Sequence, residues 1–321
     1  MDQAASLTPE RLLRQLEWRV VRRLDGQLQG DYRSLFRGSG IDFTNLREYE
    51  PGDDLRHIEW NVTARMDTPY VREYVEDREV TAWLLLDHSA SMGFGPVDRQ
   101  KDLVLAELAT TLALVLTRRG NRVGMVVFDQ DVERVLPARS GRNQVLQIAD
   151  VLLDRRNARA AATEAASTTK PGRRKSRGDS GPERHVTDLG AMLNRSAGMI
   201  RRRALVVVVS DFISEPGWEK ALSRLARRHE VVALQVSDPR EDELPDVGSI
   251  YVEDAETGEQ IFVDTSDPGF RSRLKAAADE RQALLEETTR SAGVDLHQVR
   301  TDEDLVRSLL RISELRRRRR R

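Results

Sequence analysis

The chain reads Thr81-Ala-Trp-Leu-Leu-Leu-Asp87-His-Ser89-Ala-Ser91-Met-Gly93, an apolar run that stops abruptly at an aspartate. A short apolar run bounded by turn signals predicts a buried strand, covered on both faces in a parallel sheet. Open α/β sheets place their ligands at the carboxyl ends of such strands, where Asp87, Ser89 and Ser91 would share one loop. One carboxylate and two hydroxyls are hard oxygen donors, which suit Mg²⁺ or Mn²⁺ better than a soft metal.

Two later segments strengthen the prediction of a metal site. The run Ala204-Leu-Val-Val-Val-Val-Ser210-Asp211 also ends in a carboxylate, and Thr187 stands just before a helical pattern. Each part alone is equally typical of a helix-capping loop, where Asp and Ser are common. Together, Asp-x-Ser-x-Ser, a distant Thr and a distant Asp resemble the metal-ion-dependent adhesion site of von Willebrand factor A-type domains. The resemblance implies that the metal is bound by Asp87, Ser89, Ser91, Thr187 and Asp211.

From residue 80 onward, strand-like and helical patterns alternate along the chain. Such alternation predicts an α/β fold, with a doubly wound and mostly parallel sheet that carries helices on both faces. This von Willebrand factor A-like domain is predicted to span residues 80–315. Two hairpins are expected within it, one formed by residues 131–136 with the preceding strand and one that turns at Thr257-Gly258.

Two segments precede the predicted domain. Residues 1–29 contain an amphipathic helix, for which Thr8 is a suitable N-cap and Pro9 a suitable first residue. Residues 30–79 are polar and rich in turn signals, and the alternation that begins at Tyr70 is typical of a strand. This part is predicted to be a small β-rich segment.

The charge of the chain is unevenly distributed. The net charge is only −1, from 52 basic and 53 acidic residues, yet residues 155–177 hold eight Lys and Arg against one Glu. Residues 316–321 are all arginine, and they are predicted to be a tail. Because residues 155–184 have almost no large apolar side chains, they are predicted to be a disordered insertion. The two basic segments are candidates for contacts with nucleic acid or anionic lipid.

A second characteristic block lies within residues 38–79. It gathers arginines and carboxylates around Tyr49 and Trp60, and includes the run Glu50-Pro51-Gly52-Asp53-Asp54. This block, directly before an A-type metal-site segment, resembles the bacterial family called domain of unknown function 58 over nearly the whole chain. The basic insertion departs from the family pattern, and so does the lack of the two N-terminal membrane helices that many members carry. The block is interpreted as an ion-paired cap, a recognition surface or a catalytic element.

Several classes of protein are excluded or disfavoured. The chain has no cysteine, so disulfides and thiolate catalysis are excluded. It has no long apolar stretch and no signal-peptide pattern, so we expect a cytoplasmic protein. The five histidines lack the spacing of a zinc hydrolase, and neither a phosphate-binding loop nor the Gly-x-Ser-x-Gly motif of serine hydrolases is present. No pair of nucleophile and base stands out, and we therefore expect a protein that is not an enzyme.

The family resemblance implies a metal-dependent protein-binding module. In such domains the metal keeps one coordination position for a carboxylate that the partner protein supplies. The resemblance further implies an adaptor or chaperone-like role beside an AAA+ ATPase of the MoxR type. Two alternatives remain open, a metal-dependent phosphoesterase or other hydrolase and a nucleic-acid-binding adaptor that uses the basic segments.

Overall fold

The computed structural model describes most of the chain in two compact units. The smaller unit is Arg37–Val80, and the larger unit comprises Met1–Phe36 and Thr81–Arg321. The residues described are 8–17, 45–51, 53, 55, 58–66, 68–73, 80–95, 99–118, 120–168, 187–253 and 260–319.

A six-stranded sheet is the centre of the larger unit. The strands of the described residues are β1 Asn45–Glu48, β2 Tyr70–Glu73, β3 Thr81–Asp87, β4 Arg122–Phe128, β5 Val132–Arg139, β6 Leu205–Ser210, β7 Glu230–Ser237, β8 Ser249–Glu253, β9 Gln260–Asp264 and β10 Asp295–Arg300. The order in the sheet is β10-β7-β6-β3-β4-β5, and only β5 runs antiparallel to its neighbour. The predicted doubly wound, mostly parallel sheet is confirmed, and β4 and β5 are joined as the predicted hairpin.

Helices cover both faces of this sheet. The helices of the described residues are α1 Pro9–Leu16, α2 Trp60–Met66, α3 Lys101–Thr117, α4 Arg142–Thr168, α5 Leu189–Met199, α6 Trp218–Arg228, α7 Pro239–Asp242, α8 Pro268–Ser291 and α9 Leu305–Arg319. Helix α3 packs against β3 and β4, and α1 and α4 pack against α3. Helices α5, α6 and α8 pack their apolar residues against the opposite face of the sheet.

The strand residues dictate this two-sided packing. Strand β6 is buried over its whole length, as expected for a parallel strand covered on both faces. Successive side chains of a strand point to opposite faces, so Leu85 joins the cluster under α5 and α6 while Leu84 and Leu86 face α3. Gly124 on β4 makes room for Trp83 on β3, because a Cβ at this glycine would lie 2.8 Å from the indole ring.

The start of the N-terminal helix is as predicted. Thr8 Oγ1 accepts a hydrogen bond from the Arg11 amide at 3.3 Å, and Pro9 is the first helical residue. The helix as described ends at Leu16, and the predicted continuation to residue 29 lies outside the described residues.

The smaller unit contains an antiparallel pair of strands and a short helix. Strand β1 pairs with β2, so that Arg47 lies opposite Val71, and α2 lies between them in sequence. Arg47 Nη2 binds Asp53 Oδ1 at 2.5 Å, and this guanidinium lowers the pKa of the Asp53 carboxyl. The arginines and carboxylates of the block thus include one close ion pair, while Trp60 is exposed.

The structure corrects the predictions for both basic segments. Residues 155–168, predicted to be disordered, belong to α4, and the rest of the predicted insertion lies outside the described residues. The alanine-rich composition explains the helix, since alanine has the highest helix propensity. Residues 316–319, predicted to be a tail, form the end of α9, where Arg316 is only 3 % exposed and binds Glu230 at 2.6 Å.

Candidate metal centre

Three of the predicted metal ligands lie at the end of β3 and in the loop that follows it. Asp87 is the last residue of the strand, and a single 3₁₀ turn, Ala90–Gly93, follows it. The Ser89 amide donates to Asp87 Oδ1 at 2.9 Å, and the Ser89 and Ser91 hydroxyl oxygens are 3.0 Å apart. All three side chains are buried, so the loop presents a compact group of oxygen donors at the carboxyl edge of the sheet.

The neighbouring strand brings a second carboxylate to the same edge. Strand β6 pairs with β3 in parallel, with Leu86 opposite Val209, so Ser210 lies beside Asp87. The Ser210 hydroxyl donates to Asp87 Oδ2 at 2.6 Å and accepts from the Phe212 amide at 2.8 Å. Asp211 follows directly, and its Oδ1 accepts from the Ile213 amide at 3.0 Å. The backbone at Phe212 has a φ of 59°, a left-handed conformation that is rare for a bulky residue.

The fifth predicted ligand, Thr187, is held by the loop that follows β6. The Ser214 hydroxyl donates to the Thr187 carbonyl oxygen at 2.7 Å, and the Glu215 amide donates to the same oxygen at 3.1 Å. Thr187 is buried and directly precedes Asp188, whose side chain caps α5. The five predicted residues therefore lie at the end of β3 and in the loop after it, directly after β6, and just before α5.

Burial and charge perturb the carboxylate at the centre of this group. Burial, and secondly the nearby charge of Asp211, raise the pKa of Asp87 to about 7. Two carboxylates held close together favour a bound cation, because a positive charge stabilises both ionised forms. Within the described residues, no three His, Cys, Asp or Glu side chains cluster as metal ligands do. The candidate set contains only two carboxylates, and its other three donors are hydroxyls.

Lys101 is a site residue that sequence reasoning missed. Its side chain is fully buried, and its Nζ binds Asp211 Oδ2 at 2.8 Å and Glu241 Oε1 at 2.5 Å. Burial alone would lower the pKa of Lys101, but the two carboxylates outweigh burial and raise it, so the ammonium stays charged. One feature of the sequence could have indicated this residue: Lys101 stands in the first turn of an apolar helix, where the helix dipole disfavours a cation.

A second missed residue, Arg159, fixes the backbone of the serine-containing loop. Its Nη2 donates to the carbonyl oxygens of His88 and Ser89, the latter at 2.8 Å, and lies 3.0 Å from His88 Nδ1. Gly93 allows this approach, because a Cβ there would lie 3.2 Å from the Arg159 Cδ. Arg159 lies on α4, within the segment predicted to be disordered, so its structural role had no basis in the sequence prediction.

His88, between Asp87 and Ser89, is a packed polar residue. It is buried, and burial followed by the charges of Arg159 and Arg155 lowers its pKa to about 3. The imidazole is therefore neutral at physiological pH, and it faces Arg159.

A cavity of about 200 Å³ opens beside Asp211. Polar groups of both signs line it, among them Glu241, Asp242, Arg281 and Arg300. A charged group of another molecule would thus meet both acidic and basic side chains next to the candidate metal ligands.

Comparisons with known proteins identify relatives over almost the entire chain. The family model described as "Protein of unknown function DUF58" matches residues 45–284. Uncharacterized proteins of Mycobacterium tuberculosis and Mycobacterium bovis are 34% identical over 306 residues, which is 95% of this chain and 89% of theirs. The family predicted from the sequence motifs is confirmed by these matches.

Three solved structures are similar to this chain at lower sequence identity. An aerotolerance-related membrane protein from Bacteroides fragilis has 19% identity, covers 74% of this chain and 99% of its own, and has a TM-score of 0.43. BatB from Bacteroides thetaiotaomicron has 18% identity, covers 75% and 100%, and has a TM-score of 0.41. The manganese-loaded TRAP protein of Plasmodium vivax has 18% identity, covers 49% and 57%, and has a TM-score of 0.27.

None of the helices in the described residues is both long and apolar enough to cross a bilayer.

Proposed function

We propose that this chain, which belongs to the family Protein of unknown function DUF58, is a protein-binding module that docks an acidic partner at a divalent-cation site. The observation that carries the proposal is the convergence of Asp87, Ser89 and Ser91 with Asp211 at the carboxyl edge of the sheet. Ligands bind at that edge in open α/β folds.

The donor set fits Mg²⁺ or Mn²⁺. Asp87, Ser89, Ser91, Thr187 and Asp211 offer only hard oxygen atoms, which these ions prefer. Such an ion, held mainly by neutral hydroxyls, would supply an electrophilic position for the carboxylate of a partner. Lys101 supports this arrangement, because its ammonium engages one oxygen of Asp211 and reduces the negative charge of the site.

The cavity beside the site offers the partner charged groups of both signs. Arg281 and Arg300 line it next to Asp211, together with Glu241 and Asp242, and guanidinium groups bind carboxylates in fixed geometry. The partner would place one acidic side chain toward the metal position and meet both cations and carboxylates beside it.

The partner that we propose is an AAA+ ATPase of the MoxR type, with this chain as a cytoplasmic adaptor or chaperone-like factor. The class of partner and the location rest on the family resemblance alone. The proposed role does not involve catalysis, because no pair of nucleophile and base stands out in the sequence.

Metal binding is tested by thermal unfolding. Mg²⁺ or Mn²⁺ should raise the melting temperature of the wild-type chain, because a ligand of the native state stabilises it by mass action. Asp87→Ala should abolish the shift, and Ser89→Ala should reduce it. The matched control is Ser313→Ala, which removes a buried serine on α9 and should leave the shift unchanged. An equal response of wild type and Asp87→Ala would disprove the site.

Partner binding is tested by capture of a purified MoxR-type ATPase. The wild-type chain should retain the ATPase in Mg²⁺ and lose it in chelator, and Asp87→Ala should fail to retain it while circular dichroism confirms its folding. Capture that ignores both chelator and substitution would place the docking surface elsewhere. Turnover of a phosphoester with Mg²⁺ or Mn²⁺, lost in Asp87→Ala, would instead support the hydrolase alternative.

A further inference from the structure

The edge of the six-stranded sheet opposite the candidate metal ligands is rich in arginine. At this amino edge, where the parallel strands begin, β4 starts with Arg122 and the loop into β6 contains residues 201–203, all arginine. Helix α6 ends in Arg227 and Arg228, directly before β7. All six arginines are exposed, and together they are called the arginine surface.

The order of the strands brings these arginines onto one surface. Strands β4 and β6 flank β3, and β7 lies next to β6. Because neighbouring strands are about 4.8 Å apart, the row from β4 to β7 is about 14 Å wide. Arg228 Nη2 donates to the Arg201 carbonyl oxygen at 3.4 Å, which joins the end of α6 to the loop before β6.

The carboxylates at this edge leave the surface strongly positive. Glu230 at the start of β7 binds the buried Arg316 at 2.6 Å, and Asp295 at the start of β10 lies 3.8 Å from the same guanidinium. Glu314, near the end of α9, is exposed and adds one negative charge. The arginine surface thus concentrates positive charge on a chain whose net charge is −1.

Apolar side chains are exposed beside the arginine surface. Met199, the last residue of α5, is 38% exposed and lies just before the loop that contains residues 201–203. Leu315, next to Arg316 on α9, is 48% exposed. Basic residues combined with exposed apolar ones are typical of a membrane-binding surface, because guanidinium groups bind lipid phosphates while apolar side chains enter the interface.

Nucleic acid is the other polyanion that arginines bind. Single strands stack their bases on aromatic side chains, and a duplex is read by a helix or a hairpin that enters a groove. Among the described residues of this edge, no aromatic side chain is exposed, and the arginines lie at a helix end, in a loop and at a strand start. These features favour a membrane over nucleic acid.

We infer that the arginine surface binds the phosphate headgroups of an anionic lipid membrane, with Met199 and Leu315 in contact with the interface. The opposite edge carries Asp87, Asp211 and Glu241, which the same membrane repels. Strand β3 separates the two edges by about 23 Å, so the metal edge faces the solution and stays accessible to a partner. The inference does not rest on the metal site.

Sedimentation with lipid vesicles in the presence of chelator tests this inference. The wild-type chain should bind vesicles of phosphatidylglycerol mixed with phosphatidylcholine more tightly than vesicles of phosphatidylcholine alone, and added salt should weaken the binding by screening. Arg202→Glu/Arg227→Glu should weaken it by at least about tenfold. The matched control, Arg273→Glu/Arg307→Glu, changes the net charge equally at exposed arginines near the starts of α8 and α9 and should retain most of the binding.

A fluorescent label then locates the contact in a chain that keeps its arginines. Because the chain has no cysteine, Met199→Cys gives a single attachment point for an environment-sensitive fluorophore at the amino edge. Ser266→Cys is the control, since Ser266 is exposed just before α8, a helix about 36 Å long. Anionic vesicles should shift the emission of the Met199→Cys label to shorter wavelength and leave the Ser266→Cys label unchanged.

Several results would overturn the inference. One is equal binding of the wild-type chain to anionic and neutral vesicles, and another is an equal loss of binding in the two charge-reversal variants, with circular dichroism confirming that both fold. A third is an unchanged Met199→Cys label or an equal shift of both labels. A DNA duplex that binds more tightly than vesicles at the same salt concentration, and is lost in Arg202→Glu/Arg227→Glu, would make nucleic acid the occupant. None of these results affects the metal-dependent capture experiment, which probes Asp87.

Discussion

Asp87 is held where its charge is unfavourable unless a cation is present. Its oxygens accept hydrogen bonds from the Ser89 amide and the Ser210 hydroxyl, yet burial and Asp211 still raise its pKa to about 7. A group with a raised acidic pKa in the folded state stabilises the protein below its unfolded pKa, and this stabilisation is lost as the pH rises through about 7.

The first prediction concerns the pH dependence of metal binding. Protons and metal compete for Asp87, so the affinity for Mg²⁺ should fall as the pH drops below about 7, by up to tenfold per pH unit. Titration calorimetry between pH 5.5 and 8.5, values chosen to lie roughly one to two units either side of that pKa, measures this. Asp87→Asn is the control, because it removes the carboxyl that titrates. His88 cannot be the source of the pH dependence, since its pKa is lowered to about 3. An affinity that stays constant over this range would contradict the prediction.

The second prediction concerns the buried ammonium of Lys101. Lys101→Met should lower the free energy of unfolding by about 3–5 kcal/mol, because it leaves two carboxylates without their buried cation. Adding Glu241→Gln should recover part of this loss. Urea denaturation in the absence of metal measures both variants. A loss below about 1 kcal/mol would show that this ion pair is solvated.

At the residue scale, the sequence predicted the donors but not the groups that orient them. The five candidate ligands lie at or just after the ends of two strands and just before a helix, which local patterns reveal. Lys101 and Asp211 are 110 positions apart, and their contact depends on how α3 meets β6. No pattern within a short window of sequence contains that information.

At the scale of elements, α4 is the largest departure from expectation. Its second half was predicted to be disordered because it lacks large apolar residues, yet the arginines there are held by specific partners. Arg155 binds Glu133, Arg156 lies 3.5 Å from the buried Asp102, and Arg159 holds the loop after Asp87. Apolar burial alone is therefore an incomplete criterion for order in a helix whose long side chains pack and pair.

The third prediction follows from this helix. Trypsin should leave the bonds after Arg155, Arg156 and Arg159 intact in the folded chain, because cleavage requires a locally extended backbone and these residues are helical and paired. Limited digestion followed by mass spectrometry identifies the first cuts. Early cuts at these three arginines would show that the segment is disordered, as its composition predicted. The first cuts are expected within residues 170–177, where Lys and Arg are dense in the sequence.

At the scale of the whole molecule, α9 ties the C-terminal part of the chain to the sheet. Arg316 binds Glu230 at the start of β7 and lies 3.8 Å from Asp295 at the start of β10. From their composition, residues 316–321 were predicted to be a tail, distinguished only by its positive charge. Within the described residues, Arg316 has a buried side chain and residues 317–319 extend the helix.

The fourth prediction separates these two kinds of arginine. Arg316→Met should lower the free energy of unfolding by about 2 kcal/mol or more, because Glu230 and Asp295 lose a buried partner. Deleting residues 320–321 should change it by less than about 0.5 kcal/mol. Chemical denaturation measures both. Equal effects of the two changes would contradict the role of Arg316.

Strand β5 is an edge strand of the six-stranded sheet, and its composition affects aggregation at high protein concentration. It carries Glu133, Arg134 and Arg139, and it contains Pro137, which has no amide hydrogen to donate. Proline and charged side chains on an edge strand hinder the stacking of foreign strands that begins fibril growth. Concentrated solutions of this protein should therefore resist amyloid-like polymerisation through the edge of β5. Replacing Pro137 and Arg134 by valine should remove that resistance.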